Sequence, residues 1–263
     1  MNSIHIVGYI GALIVGLVLG LIGGGGSILT VPLLVYLLGY NPVLATAYSL
    51  FVVGTSSLVG TYQKHKKGLV DFKTGLAFSF PSFVAVYLSR RYLVPGIPDT
   101  LFSIGSFNLT KDIGIMVFFA IIMIIASYSM IKNGKNKIIN SKSQPYYKTF
   151  VQGLIIGTIT GIVGAGGGFL YVPALVLWAN IPMKKAVGTS LIIVTINSLI
   201  GFIGDVQTLN IEWGFLLTFT GIAILGIILG VYISKFISGE KLKKSFGYFI
   251  LLIATYIIYR ELK

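Results

Sequence analysis

The residues best placed to do chemistry in this chain carry no charge. "GLIGGGGSILTVP" at 20–32 and "GIVGAGGGFLYVP" at 161–173 set runs of glycine between aliphatic stretches. A glycine in a helix interior costs about 0.8–1.0 kcal/mol relative to alanine. Gly23, Gly24, Gly25 and Gly26 therefore predict a helix break, and Gly164, Ala165, Gly166, Gly167 and Gly168 predict a second. Helix resumes after each run, with Ser27 as the expected N-cap of the first, so both breaks present backbone N–H donors with no intrahelical acceptor. Each helix N-terminus acts as roughly half a positive charge, and two that converge supply about one unit. The chemistry this predicts is binding of a small anion by main chain, with glycine allowing close approach.

A second layer follows in "ATAYSL" at 45–50 and "AVGTSL" at 186–191, where Ser49, Thr189 and Ser190 offer hydroxyl donors. Ser56, Ser57, Asn197 and Ser198 lie further along the same segments. The structural alternative for these groups is interhelical hydrogen bonding, and for the spaced pairs Gly16/Gly20 and Gly157/Gly161 it is close helix packing. A dinucleotide fingerprint is a poor fit, because the third glycine of the pattern counted from Gly164 falls on Phe169 and the preceding run has membrane length. A P-loop fails for want of the Gly-Lys-Ser/Thr ending. No zinc-protease pattern, nucleophile elbow, paired carboxylates or metal-ligand cluster occurs, so neither an enzyme nor a cofactor is expected. Asp71, Asp205, Glu212, His5 and His65 all fall near segment ends, and no proton relay is assigned to them.

The elements that must position these residues are membrane helices. Of 263 residues, 55% are hydrophobic and only 10% charged, and the mean hydropathy is +0.91; soluble domains carry about 25% charged residues. A crossing needs roughly 20 apolar residues, and apolar runs recur near 4–22, 27–39, 43–62, 74–93 and 113–131, then 149–163, 168–181, 185–204, 211–233 and 245–260. The segments that open at Ser27 and Gly168 span only roughly 20 Å at 1.5 Å per residue, short of a hydrocarbon core of about 30 Å. The first run lacks a basic n-region and a small-residue cleavage site, so it reads as a membrane helix and not as a signal peptide. There are no cysteines, which removes disulfides and thiol chemistry. The net charge of +13 sits in short connections between apolar runs, the placement produced by the positive-inside rule, so membrane lipids and not nucleic acid are the expected surroundings.

The two glycine stretches belong to a duplication. At a constant offset of 141, seventeen of 45 positions between 16–60 and 157–201 are identical, and Asp71-Phe72 falls opposite Glu212-Trp213. Lys64, Lys66, Lys67, Lys73, the connection 132–148, Lys184, Lys185, Lys235, Lys241, Lys243 and Lys244 together hold 15 of the 20 basic residues, and one cytoplasmic face can take them all. "KHKK" at 64–67 then lies inside while its counterpart "DVQT" at 205–208 lies outside. The fold expected is an all-α polytopic membrane protein of two inverted-topology repeats, five segments each, with helices broken at the glycine runs. Its parts are a first repeat at 1–131, a cytoplasmic basic loop at 132–148 and a second repeat at 149–263, with both termini outside.

Two copies of a glycine-rich run, a proline and then an A-x-x-x-S-L stretch, "GGGGSILTVP…ATAYSL" and "GAGGGFLYVP…AVGTSL", resemble the TauE/SafE family of sulfite and organosulfonate permeases. The resemblance covers both repeats. It implies transport, commonly export, of small sulfur-containing anions such as sulfite, thiosulfate, sulfoacetate or related sulfonates across the cell membrane. The first copy departs from the second in carrying Tyr48 where the second has Thr189. The reading is a secondary transporter of a small anionic substrate; the alternative from the same parts is a passive anion channel. The chain does not name its anion, transport direction, coupling ion or oligomeric state.

Overall fold

The computed structural model describes residues 3–98, 100–104, 107–132, 146–163, 168–206 and 209–261. Every expected apolar segment is a helix. In the first half, α1 (Ser3–Ile22) leads through a 3-10 turn at Gly24–Gly26 into α2 (Ser27–Pro32), which winds on as a π turn over Leu33–Leu37. Then come α3 (Pro42–His65), α4 (Phe72–Leu88) with a π turn at Ser89–Leu93, the short α5 (Val94–Gly96) and α6 (Lys111–Lys132). The second half is α7 (Tyr146–Val163), α8 (Gly168–Leu177), α9 (Met183–Val206), α10 (Trp213–Ile233) and α11 (Gly239–Glu261).

A small antiparallel hairpin departs from the all-α expectation: β1 (Thr100–Ile104) pairs with β2 (Phe107–Thr110). Pro95 and Pro98 stop the preceding helix, and the Thr- and Phe-rich run that follows suits extended backbone.

Among the described residues, α3, α6, α9, α10 and α11 are each long and apolar enough to cross a membrane. Burial is arranged for a lipid solvent. Phe80, Tyr92, Ile125 and Leu252 point outward, while Ser49, Ser56, Ser57, Ser82, Thr189, Ser190 and Ser198 are buried. In lipid, the outer surface gains nothing from polarity, whereas hydroxyls help where helices meet. The molecule is a multi-pass membrane protein.

The duplication is visible in individual contacts. Gly16 lies against the Ala223 carbonyl and Gly20 against that of Ile227; at offset 141, Gly157 lies against the Ser82 carbonyl and Gly161 against Val86. These glycines form the seams α1–α10 and α4–α7, as the packing alternative for their spacing anticipates. The short helices end alike: Leu38 N–H donates to Leu33 O and Tyr40 N–H to Leu34 O, while Ala179 N–H donates to Ala174 O and Ile181 N–H to Leu175 O. Both ends then need left-handed backbone, supplied by Gly39 at φ +73° and by Asn180 at φ +54°, the two residue types that enter that region most readily. Helices α3 and α9 pack antiparallel at the centre, with Leu50 beside Gly201, Gly54 beside Leu199 and Gly60 beside Leu191.

Candidate functional site

The first break is sharp and sits at one residue. Gly23 has φ +83°, which a side chain would resist, and its N–H still closes α1 by donating to Leu19 O at 2.8 Å. Helical backbone restarts at Gly24, one turn earlier than expected. Gly26, at φ −67° and ψ −24°, is the N-cap of α2 and has no side-chain cap bond. The expected N-cap, Ser27, is instead the first residue of α2. The reason is that the 3-10 turn of Gly24–Gly26 is already helical, so Ser27 falls inside the first turn. Thr30 Oγ1 donates back to Gly26 O at 3.1 Å.

In the second half α7 ends at Val163 and α8 begins at Gly168. Gly164, Ala165, Gly166 and Gly167 lie outside the described residues. Gly168 is described, and it meets Gly24. A Cβ on either residue would fall inside the backbone of the other. The glycine runs of the two halves thus cross main chain on main chain, in the interior. Around Gly23, Gly24 and Gly26 the neighbouring atoms come from Val15, Leu19, Gly168, Val172, Val187 and Ser190, none of them charged.

Of the expected hydroxyls, Ser190 is at the crossing. Its Oγ abuts Gly23 and donates to Val187 O at 2.9 Å. Thr189 is turned elsewhere: its Oγ1 accepts the Asp71 N–H at 2.9 Å. Tyr48 does the equivalent job, its hydroxyl accepting the Glu212 N–H at 2.8 Å. The Tyr48/Thr189 difference therefore preserves one function in both halves, an acceptor that pins the start of α4 or α10. The Tyr40 hydroxyl donates to Glu212 Oε2 at 3.2 Å; burial, reinforced by that carboxylate, pushes it above the ordinary tyrosine range, so it stays a neutral donor. Ser49 is buried with no partner for its Oγ. In the antiparallel α3–α9 register it is level with residues near Phe202, about 12 residues or roughly 18 Å along α9 from Ser190. Ser49 and Ser190 thus do not touch.

Sequence reasoning missed Tyr171 and Ser82. The fully buried Tyr171 hydroxyl lies 2.6 Å from Ser82 Oγ, and Asn197 Nδ2 donates to both, at 2.6 Å to Tyr171 and 2.9 Å to Ser82. This network ties α4, α8 and α9 together one turn after Gly168. The available signal was a tyrosine within a short broken helix, opposite Thr30 in the other copy. Asn197→Ala leaves two buried hydroxyls short of a donor and should lower stability by about 1–3 kcal/mol, read as the thermal unfolding midpoint in detergent. An unchanged midpoint would show that the network does not hold α8 in place. Asn197 Oδ1 and the hydroxyls of Ser56, Ser57 and Ser198 have no partner although buried, an expense rarely left unexplained in native proteins.

The family model described as "Sulfite exporter TauE/SafE" matches residues 9–257. The chain belongs to the TauE/SafE family. Among curated proteins, a "Probable membrane transporter protein" of Xylella fastidiosa (strain 9a5c) is 29% identical over 261 residues, covering 94% of this chain and 92% of that one. "Probable membrane transporter protein YunE" of Bacillus subtilis (strain 168) is 29% identical, covering 94% of each chain. "Probable membrane transporter protein MJ0441" of Methanocaldococcus jannaschii is 27% identical, over 73% of this chain and 70% of that one. No solved structure matches. The family match spans both glycine runs of this TauE/SafE protein.

Proposed function

We propose that this chain is a secondary transporter, an exporter of small sulfur-containing anions such as sulfite, thiosulfate or sulfonates, that holds its anion where the two glycine runs cross. The observation that carries the reading is the backbone contact of Gly24 with Gly168 inside the molecule. Two restarting helices there direct first-turn amides at a shared, uncharged and buried location. The proposed site comprises Gly23, Gly24, Gly25, Gly26 and Ser27 with Gly164, Ala165, Gly166, Gly167 and Gly168. Gly23 shapes the turn and does not donate, since its N–H serves Leu19. Ser190 stands at the crossing, Ser49 lies further along α3 as a separate buried hydroxyl, and Thr189 acts as a positioning residue through the Asp71 amide.

Inverted topology of the repeats is part of the proposal. Contacts that recur at the offset, Gly16 with Ala223 and Gly157 with Ser82, support a two-fold relation between the halves, and the antiparallel α3–α9 pair supports an axis across the helices. An axis across membrane-spanning helices lies in the membrane plane and turns one half over. Alternating access then follows from one half rocking on the other.

Two helix ends offer about one positive unit, so sulfite as a monoanion should be moved faster than as a dianion. Uptake of labelled sulfite into proteoliposomes, compared on either side of its second ionisation, checks this; faster dianion flux would overturn the site. Counterflow with saturation is expected of a carrier, whereas unitary conductance in a planar bilayer would establish the passive channel instead.

A further inference from the structure

Four lysines from three separate stretches of the chain share a cavity of about 230 Å³. Lys64, Lys67, Lys184 and Lys235 line it with Ser234, where the C-terminal ends of α3 and α10 meet the N-terminal ends of α9 and α11. Lys64 is only 2% exposed. Its Nζ donates to Ser234 Oγ at 2.8 Å, and no carboxylate among the described residues pairs with it. The acids carried by the adjoining connections are engaged by other lysines, Asp71 by Lys185 at 3.6 Å and Glu240 by Lys244 at 3.2 Å. Lys67 Nζ reaches the Val231 carbonyl at 3.4 Å, and Lys184 Nζ the Lys235 carbonyl at 3.4 Å. Lys235 Nζ lies 3.9 Å above the Tyr232 ring. Partial burial and the neighbouring Lys235 hold the Lys67 ammonium below the ordinary lysine range.

The topological role of these lysines does not account for this arrangement. Retention on one face requires positive charge near the helix ends; it requires neither convergence nor burial. A buried ammonium without a counter-ion is costly, and four cations around one cavity repel each other until an anion joins them. The duplicated half offers a contrast. At offset 141 the four lysine positions carry Asp205, Thr208, Val43 and Val94, so the lysine set is not repeated at the equivalent positions.

We propose that Lys64, Lys67, Lys184 and Lys235 form an anion-holding vestibule for a multiply charged oxyanion of the sulfate or phosphate type, upstream of the glycine crossing. Lys184 and Ser190 are six residues apart on α9, about 9 Å of helix, so the basin opens one to two turns from the crossing. The destination rests on the proposed function; the ligand does not. A tetrahedral oxyanion can be free in solution or be the phosphate of a lipid headgroup, and the lysines recognise what the two share.

The test is amine acylation of the full chain in neutral detergent, mapped by mass spectrometry, with sodium sulfate or inorganic phosphate as probe and sodium gluconate at equal ionic strength as control. Sulfate and phosphate should slow labelling of Lys67, Lys184 and Lys235 about tenfold relative to the outlying Lys148 and Lys241, as expected for charge-assisted bonds. The Lys184→Gln/Lys235→Gln double variant should bind sulfate at least about tenfold more weakly. A parallel arm omits sulfate and compares nanodiscs of phosphatidylglycerol with nanodiscs of phosphatidylcholine. Protection by the anionic lipid assigns the site to a headgroup, and protection by free sulfate alone assigns it to a soluble anion; either upholds the vestibule. Equal labelling in every condition, or equal protection by gluconate, overturns it. Sulfate protection in a protein that moves no sulfite would uphold the vestibule and overturn the transport reading.

Discussion

Gly24→Ala is expected to reduce sulfite flux in proteoliposomes by about a hundredfold or more. The added methyl has nowhere to rotate, because it falls inside the Gly168 main chain and not against a flexible side chain. The two backbones must separate, and a displacement of about 1 Å at a reacting or binding centre can cost a hundredfold. Overpacking itself destabilises by about 1–3 kcal/mol, so the unfolding midpoint should fall as well. Gly168→Ala meets the same clash from the other side. The two losses should overlap rather than add, since either substitution alone already opens the contact. Gly221→Ala is the matched control: nothing lies within 4 Å of its added carbon, and alanine is the better helix former by about 1 kcal/mol. It should keep full flux and an equal or higher midpoint. Flux within twofold of the parent for Gly24→Ala would mean that the crossing is not where the anion passes.

The second large effect concerns stability. Gly16→Val and Gly157→Val each drive a branched side chain into a facing carbonyl, of Ala223 in one seam and of Ser82 in the other. Neither seam can widen without lifting α1 from α10, or α7 from α4, along its length. Each variant should lose about 3 kcal/mol or more, the upper range for overpacking, seen as a large drop in thermal midpoint or failure to purify as a monodisperse species. Because the contacts are equivalent under the duplication, the two losses should agree to about 1 kcal/mol. A tolerated substitution in one seam beside a collapsed one in the other would end the argument that the halves pack alike.

The lysine basin and these contacts differ in how they follow the duplication. The glycine seams, the ends of the short helices and the Tyr48 and Thr189 acceptors repeat in both halves. The lysines of the cavity are not repeated at the equivalent positions, and Glu212 with its tyrosine neighbours Tyr40 and Tyr48 takes the place of Asp71 in the second half.

How far the sequence could be read follows from the range of each interaction. Hydropathy and glycine propensity act within one turn or one span, so the segments, the break at Gly23, the half-length helices and the duplication were all legible in the residues alone. The Ser27 cap was misplaced because a 3-10 turn of glycines begins the helix early, a matter of local dihedral angles that propensity does not resolve. The hairpin at Thr100–Ile104 and Phe107–Thr110 went unnoticed because a short two-stranded unit leaves only a weak periodic signal. Everything decided by one helix lying on another required coordinates. These include the contact of Gly24 with Gly168, the diversion of Thr189 to the Asp71 amide, the distance between Ser49 and Ser190, the Tyr171–Ser82–Asn197 network and the convergence of four lysines from three stretches of the chain. Periodicity tells which face of a helix is apolar, but not which partner's backbone it touches. In a lipid-facing bundle, where hydrophobicity no longer selects neighbours, that choice falls to the fit of small residues and to hydrogen bonds that exist only once the helices are assembled.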